Sequence, residues 1–81
     1  MHKHYLVLIE KGEKSYGAYA PDVPGCISIG KTIEEALTNY QEALEFHFEG
    51  MAQDGEAIPP PAHIEARFIE VEVPDTLSSA S

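Results

Sequence analysis

The segment Tyr19-Ala20-Pro21-Asp22-Val23-Pro24-Gly25-Cys26-Ile27-Ser28-Ile29-Gly30-Lys31-Thr32-Ile33-Glu34-Glu35-Ala36 imposes a strict order of local structures on any fold that contains it. Pro21 and Pro24 fix φ at about −65° on either side of Asp22-Val23, and Gly25 supplies the positive φ that closes such a turn. The apolar run from Cys26 to Ile29 predicts a short strand, and Gly30 releases the chain from it. Thr32 and Glu35 have the spacing of a capping box, in which each side chain takes a backbone N–H of the other. A proline-braced turn, a strand and a capped helix therefore follow one another without a loop long enough to rearrange them.

The flanking sequence extends this pattern. Lys3 to Lys11 reads as a first strand, with Tyr5, Val7 and Ile9 on one face and Leu6 and Leu8 on the other. Apolar residues on both faces predict a central strand covered on both sides. Gly12-Glu13-Lys14 supplies a hairpin turn and Ser15 to Ala20 a second strand, in which Gly17 marks a bulge or a close backbone approach. Cys26 to Ile29 completes an antiparallel meander. The helix is predicted from Ile33 to about Asp54, with Gly55 as the residue that ends it. Ile33, Ala36, Leu37, Tyr40, Leu44, His47, Phe48 and Met51 share one stripe, and Glu34, Thr38, Glu42, Glu45 and Glu49 the opposite face. Gly50 loosens the last turn by about 1 kcal/mol relative to alanine. Pro59-Pro60-Pro61 forms an extended connector, and Ala66 to Val73 reads as a fourth strand that Pro74 stops. In it Ile69, Val71 and Val73 point one way and Phe68, Glu70 and Glu72 the other. The fold class is α+β with element order βββαβ, the helix covering one face of the sheet, in a single domain over 1–74 followed by a frayed tail over 75–81.

A chain of 81 residues buries about 60% of its unfolded surface, and its one cysteine, Cys26, forms no intrachain disulfide. One helix covers one sheet face, so Leu6, Leu8 and either Phe68 or Tyr19 need another cover. A second copy of the chain is the simplest, which predicts a homo-oligomer, a dimer or larger. The apolar run Tyr5 to Ile9 is too short for a signal-peptide core, and no run approaches the roughly 20 apolar residues of a membrane span. A cytoplasmic protein is expected. The net charge is −9, and between Thr32 and Ala66 there are eight acidic residues and no lysine or arginine. Such a surface repels phosphate backbones and attracts basic proteins.

The outer helix face concentrates that charge. Glu34 and Glu35 suit the helix N-terminus, but Glu45 and Glu49 lie toward the C-terminal end, where each costs about 0.3–1 kcal/mol if exposed. They are also a like-charged i, i+4 pair. Phe46 projects beside this face, flanked by Glu42, Glu45 and Glu49, as an anchor for a partner or for a sister subunit. His2, His4, His47 and His63 lack the spacing of a structural metal site, which usually takes four nitrogen or sulfur ligands. No metal or other cofactor is expected.

Pro21-Asp22-Val23-Pro24-Gly25-Cys26, the following strand, Gly30-Lys31-Thr32 and Glu34-Glu35-Ala36-Leu37 together resemble the signature of the HicB-like antitoxins. The resemblance continues through Asn39 to Glu45 and Asp54 to Pro59, and spans Tyr5 to Val73. It implies a reduced ribonuclease H-like sheet with the fourth strand parallel to and beside the first. It also implies a non-enzymatic partner in a toxin–antitoxin system, one that occludes a small basic HicA-like ribonuclease. Glu42, Glu45, Glu49 and Phe46, with Tyr19 and Asp22 near the signature loop, are the candidate partner-binding residues. A nuclease of this fold needs several carboxylates converging on divalent metals, but the first strand carries Leu6, Val7 and Leu8 where an inward acid is expected. The alternatives are an orphan homo-oligomeric structural protein and, third, an RNA-binding module. Longer HicB proteins append a DNA-binding region; the chain here extends eight residues past Val73, so direct DNA binding is not expected.

Overall fold

The computed structural model describes residues 1–75. Strand β1 (Leu8–Lys11), β2 (Tyr16–Tyr19) and β3 (Ile27–Gly30) form an antiparallel sheet in the order β1-β2-β3, followed by helix α1 (Ile33–Gln53). Leu8 pairs with Tyr19, and Tyr19 with Ile27. β1 starts five residues later than the predicted Lys3 (8 − 3) because β2 ends at Tyr19, opposite Leu8. Beyond Tyr19 the chain turns at Pro21, so the residues before Leu8 have no β2 partner. Gly17 sits in regular register opposite Glu10 and Ile29 with no bulge, contrary to expectation.

The register sorts the side chains. Ile9, Ala18 and Ser28 lie toward α1, and Leu8, Tyr19 and Ile27 toward the other face. Ala18, Ala20, Val23, Cys26, Ala36, Tyr40 and Leu44 form the buried core, against which Tyr5, Val7, Ile9 and Phe48 pack. The Tyr40 hydroxyl reaches back to the sheet and accepts the Ala20 N–H at 2.9 Å. The predicted helix stripe is narrower in fact. Ala36, Tyr40 and Leu44 are buried, whereas Ile33 and Leu37 are each 41% exposed, because a three-stranded sheet is too narrow to cover the whole stripe.

Both helix ends are closed by local chemistry. Thr32 Oγ1 accepts the Glu35 N–H at 3.0 Å, while the Glu35 carboxylate takes the N–H of Lys31, at 2.8 Å, rather than that of Thr32. At the other end Asp54 is the C-cap and Gly55 has φ +74°. Glu56 N–H donates to the Met51 carbonyl and Gly55 N–H to that of Ala52, at 2.8 and 3.2 Å, which is the Schellman arrangement. Gly25 also adopts a positive φ, +87°, as the turn requires. Gly30 has a role not read from the sequence. A Cβ there would lie 2.5 Å from the Ala36 backbone nitrogen, so its missing side chain lets the first helical turn sit directly on β3.

Residues 66–73, predicted as a fourth strand, form no strand and pair with none among the described residues. Phe68 and Ile69 are 106% and 82% exposed. The predicted tail of 75–81 lies, beyond Asp75, outside the described residues.

Candidate functional site

The outward face of α1 brings together most of the expected residues. Glu34, Glu42, Glu45 and Glu49 are exposed, and none makes an ion pair with a lysine or arginine among the described residues. Phe46 stands at the side of this face, 79% exposed. It borders a shallow depression that it shares with Cys26, Ile27, Ala43, His47 and Met51. Ile27 is itself 72% exposed, so the acidic face adjoins an apolar step at the β3 edge. A continuous 21-residue helix, capped at both ends, holds these groups on a rigid surface. The half-buried His47 ring, on the apolar stripe, stands 6.3 Å from that of Phe48.

Tyr19 and Asp22 do not join this surface. Tyr19 lies on the sheet face away from α1, in register with Leu8 and Ile27. Asp22 makes contacts across 40 residues of sequence rather than within its own turn. One carboxylate oxygen accepts the N–H of Ala62 at 2.8 Å and that of His63 at 3.4 Å, and the other lies 2.9 Å from His63 Nδ1. The turn itself is closed by Val23 N–H donating to the Ala20 carbonyl at 3.0 Å. His63 was not among the candidate residues, and nothing in its sequence surroundings marks it. Its partner is forty-one positions away. Tyr5 makes a second tether near the same connector: its hydroxyl donates to the Pro59 carbonyl at 2.6 Å, and its ring stands 5.4 Å from Phe48.

The Ala62 N–H, the His63 side chain and then the His63 N–H stabilise the ionised Asp22, holding its carboxyl below the ordinary value of 3.8. A lowered acid pKa contributes to the folded state above the unfolded value and is lost as pH falls through the folded value. The tether is therefore complete at neutral pH and opens only in acid. In an NMR titration the Ala62 amide should show a transition with its midpoint below 3.8, and Asp22→Ala should abolish that transition. A midpoint at or above the ordinary value would contradict the assigned contacts.

Among the described residues no three histidine, cysteine, aspartate or glutamate side chains are grouped so as to hold a metal ion. No helix among them is long and apolar enough to cross a membrane.

Comparison with known proteins gives this arrangement a context. The family model for the HicB_like antitoxin of bacterial toxin–antitoxin systems matches residues 5–79. An uncharacterized 14.9 kDa protein from the rep-hol intergenic region of Haemophilus phage HP1 is 44% identical over 71 residues, covering 88% of this chain and 53% of that protein. Antitoxin HicB 2 of Photorhabdus laumondii is 36% identical over 67 residues, covering 83% of this chain and 48% of its own. The chain thus spans about half the length of these two relatives. Among solved structures, a chain of a HicA3 and HicB3 toxin–antitoxin complex superposes with a TM-score of 0.64 at 32% identity, covering 73% of this chain and 70% of that one.

Proposed function

The chain belongs to the HicB-like antitoxin family, and on that premise we propose that it binds and occludes a small basic ribonuclease toxin of the HicA type through the outer face of α1. The observation that carries this reading is the exposed, unneutralised row of Glu42, Glu45 and Glu49 beside Phe46 on one capped helix. Lysine at some of these positions would stabilise the helix, through pairing at i, i+4 and a better match to the helix dipole. The protein forgoes that stabilisation and keeps a field that speeds encounter with a cationic surface. Phe46 supplies the apolar anchor that an interface of this kind needs, since aromatic side chains in desolvated pockets carry much of the binding energy. A toxin that binds nucleic acid through basic groups is silenced when those groups are paired with carboxylates and covered. The antitoxin then acts by steric and electrostatic occlusion, without chemistry of its own. In this reading Asp22 is a structural tether, and Tyr19 belongs to the opposite sheet face.

The test titrates a purified small basic toxin of the HicA type against this protein. The triple variant Glu42→Lys/Glu45→Lys/Glu49→Lys should bind on the order of 100-fold more weakly, with slower association and a weaker dependence on salt. Phe46→Ala should act mainly by faster dissociation. Far-ultraviolet circular dichroism of both variants should match that of the parent, because the altered side chains are exposed. Unchanged affinity of the triple variant would move the interface elsewhere, and no binding by the parent protein at micromolar concentrations would end the proposal.

A further inference from the structure

The chain leaves its compact body at His63. Beyond it Ile64, Phe68, Ile69, Val71 and Val73 are 99%, 106%, 82%, 65% and 54% exposed. So much contiguous apolar side chain in water marks a surface that belongs against something else. The radius of gyration is 16.0 Å, against about 12 Å for a compact domain of this length, as an arm held off the body requires.

The body carries a matching vacancy. Among the described residues β1 pairs only with β2, so the backbone groups on its outer side meet no strand there. The other edge differs: Asn39 Nδ2 donates to the Ile29 carbonyl of β3 at 2.9 Å, closing part of it from the helix. Alongside the segment leading into β1 runs an open groove of about 740 Å³, lined by Val7, Leu37, Tyr40, Leu44, Phe48 and Ile58 among others. A strand added to β1 would send alternate side chains to the α1 side, toward that groove. Ile69, Val71 and Val73 alternate as required.

The arm does not fill the groove of its own chain. Asp22 pins its root through Ala62 and His63, and Pro59-Pro60-Pro61 stiffens the connector against a tight reversal. A rigid hinge that holds an element away from its seat favours exchange between copies. We propose that residues 66–73 of one copy add as a fourth strand along β1 of a second copy and fill its groove. The exchange is reciprocal and gives a twofold dimer. This inference stands on the arm and the groove alone, and its test needs no toxin.

The protein should sediment as a dimer at tens of micromolar concentration. Ile69→Asp/Val71→Asp should raise the dimer dissociation constant at least 100-fold while the circular dichroism of α1 persists. Val71→Pro, which blocks ladder pairing without adding charge, should do the same. Crosslinking then separates exchange from fold-back. In a Cys26→Ala background, chains carrying Leu8→Cys are mixed under exchange conditions with longer, tagged chains carrying Glu70→Cys, two positions on the sheet face away from α1. A disulfide-linked product with the summed mass of the two supports exchange. A monomeric parent protein, a dimer indifferent to the arm variants, or an intrachain disulfide in a chain carrying both cysteines would each overturn it. So would an arm whose amides become protected only when the toxin is added.

Discussion

Tyr40→Ala is expected to remove about 3–5 kcal/mol of stability, the range for deleting a large buried aromatic side chain. Small domains have only about 5–15 kcal/mol in total, so this variant should be largely unfolded in modest urea. Tyr40 is 1% exposed and sits between Ala36 and Leu44 on the helix face that meets the sheet. Its hydroxyl is also the acceptor for the Ala20 N–H, at 2.9 Å, in the last position before the Pro21 turn. Tyr40→Phe separates the two contributions. It keeps the ring and strands the buried amide, so it should cost about 1–3 kcal/mol. Urea unfolding followed by circular dichroism reads both. A phenylalanine variant as stable as the parent would mean that the hydroxyl serves no structural purpose. Burial also pushes the Tyr40 hydroxyl above its ordinary value of 10.0. A group whose pKa is raised on folding adds stability below its unfolded value and loses it as pH climbs through the folded one. The parent should therefore weaken above pH 10 more than Tyr40→Phe does.

The second large effect is expected at Gly30. A Cβ there would stand 2.5 Å from the Ala36 nitrogen, 2.8 Å from the Glu35 carbonyl carbon and 2.9 Å from the Ala36 Cα. These are backbone atoms of a capped helical turn, so no side-chain rotation relieves the clash. Gly30→Ala must push α1 away from β3, at about 1–3 kcal/mol or more. Gly17→Ala is the control, because a Cβ there would find its nearest neighbours at 4.0 Å, ordinary contact distance. The two substitutions are chemically identical and lie in adjacent strands. Equal urea midpoints for the two variants would refute the close packing of β3 on α1.

The difference between these glycines illustrates what can be read from sequence. Both interrupt apolar runs, and Gly17 was expected to mark a bulge or close approach while Gly30 was read as a strand end. The structure reverses the emphasis: Gly17 is regular and Gly30 carries the close approach. A close approach is a relation between two elements, so neither run contains its signal. The charged helix face was legible because it depends on one periodicity within one element. Glu42, Glu45, Glu49 and Phe46 were placed together by counting alone. The pairing of Asp22 with His63 was not legible, since a carboxylate in a Pro-Asp-Val-Pro turn has an equally good local explanation.

The amino-acid order alone determined the elements whose causes are local. These are the braced turn with its positive φ at Gly25, the meander of three strands, the Thr32 cap, the Gly55 stop and the acidic side of α1. Each arises from interactions within about one helical turn or one hairpin, and the residues concerned adjoin one another in the chain. Only the tertiary structure decided which edge of the sheet is open, that Gly30 rather than Gly17 admits the helix, and that Asp22 grips the chain beyond the prolines. It also showed that the apolar pattern of residues 66–73 earns no partner within its own sheet. Alternation states that a segment can form a strand; whether an edge lies within its reach is a matter of geometry between distant parts of the chain.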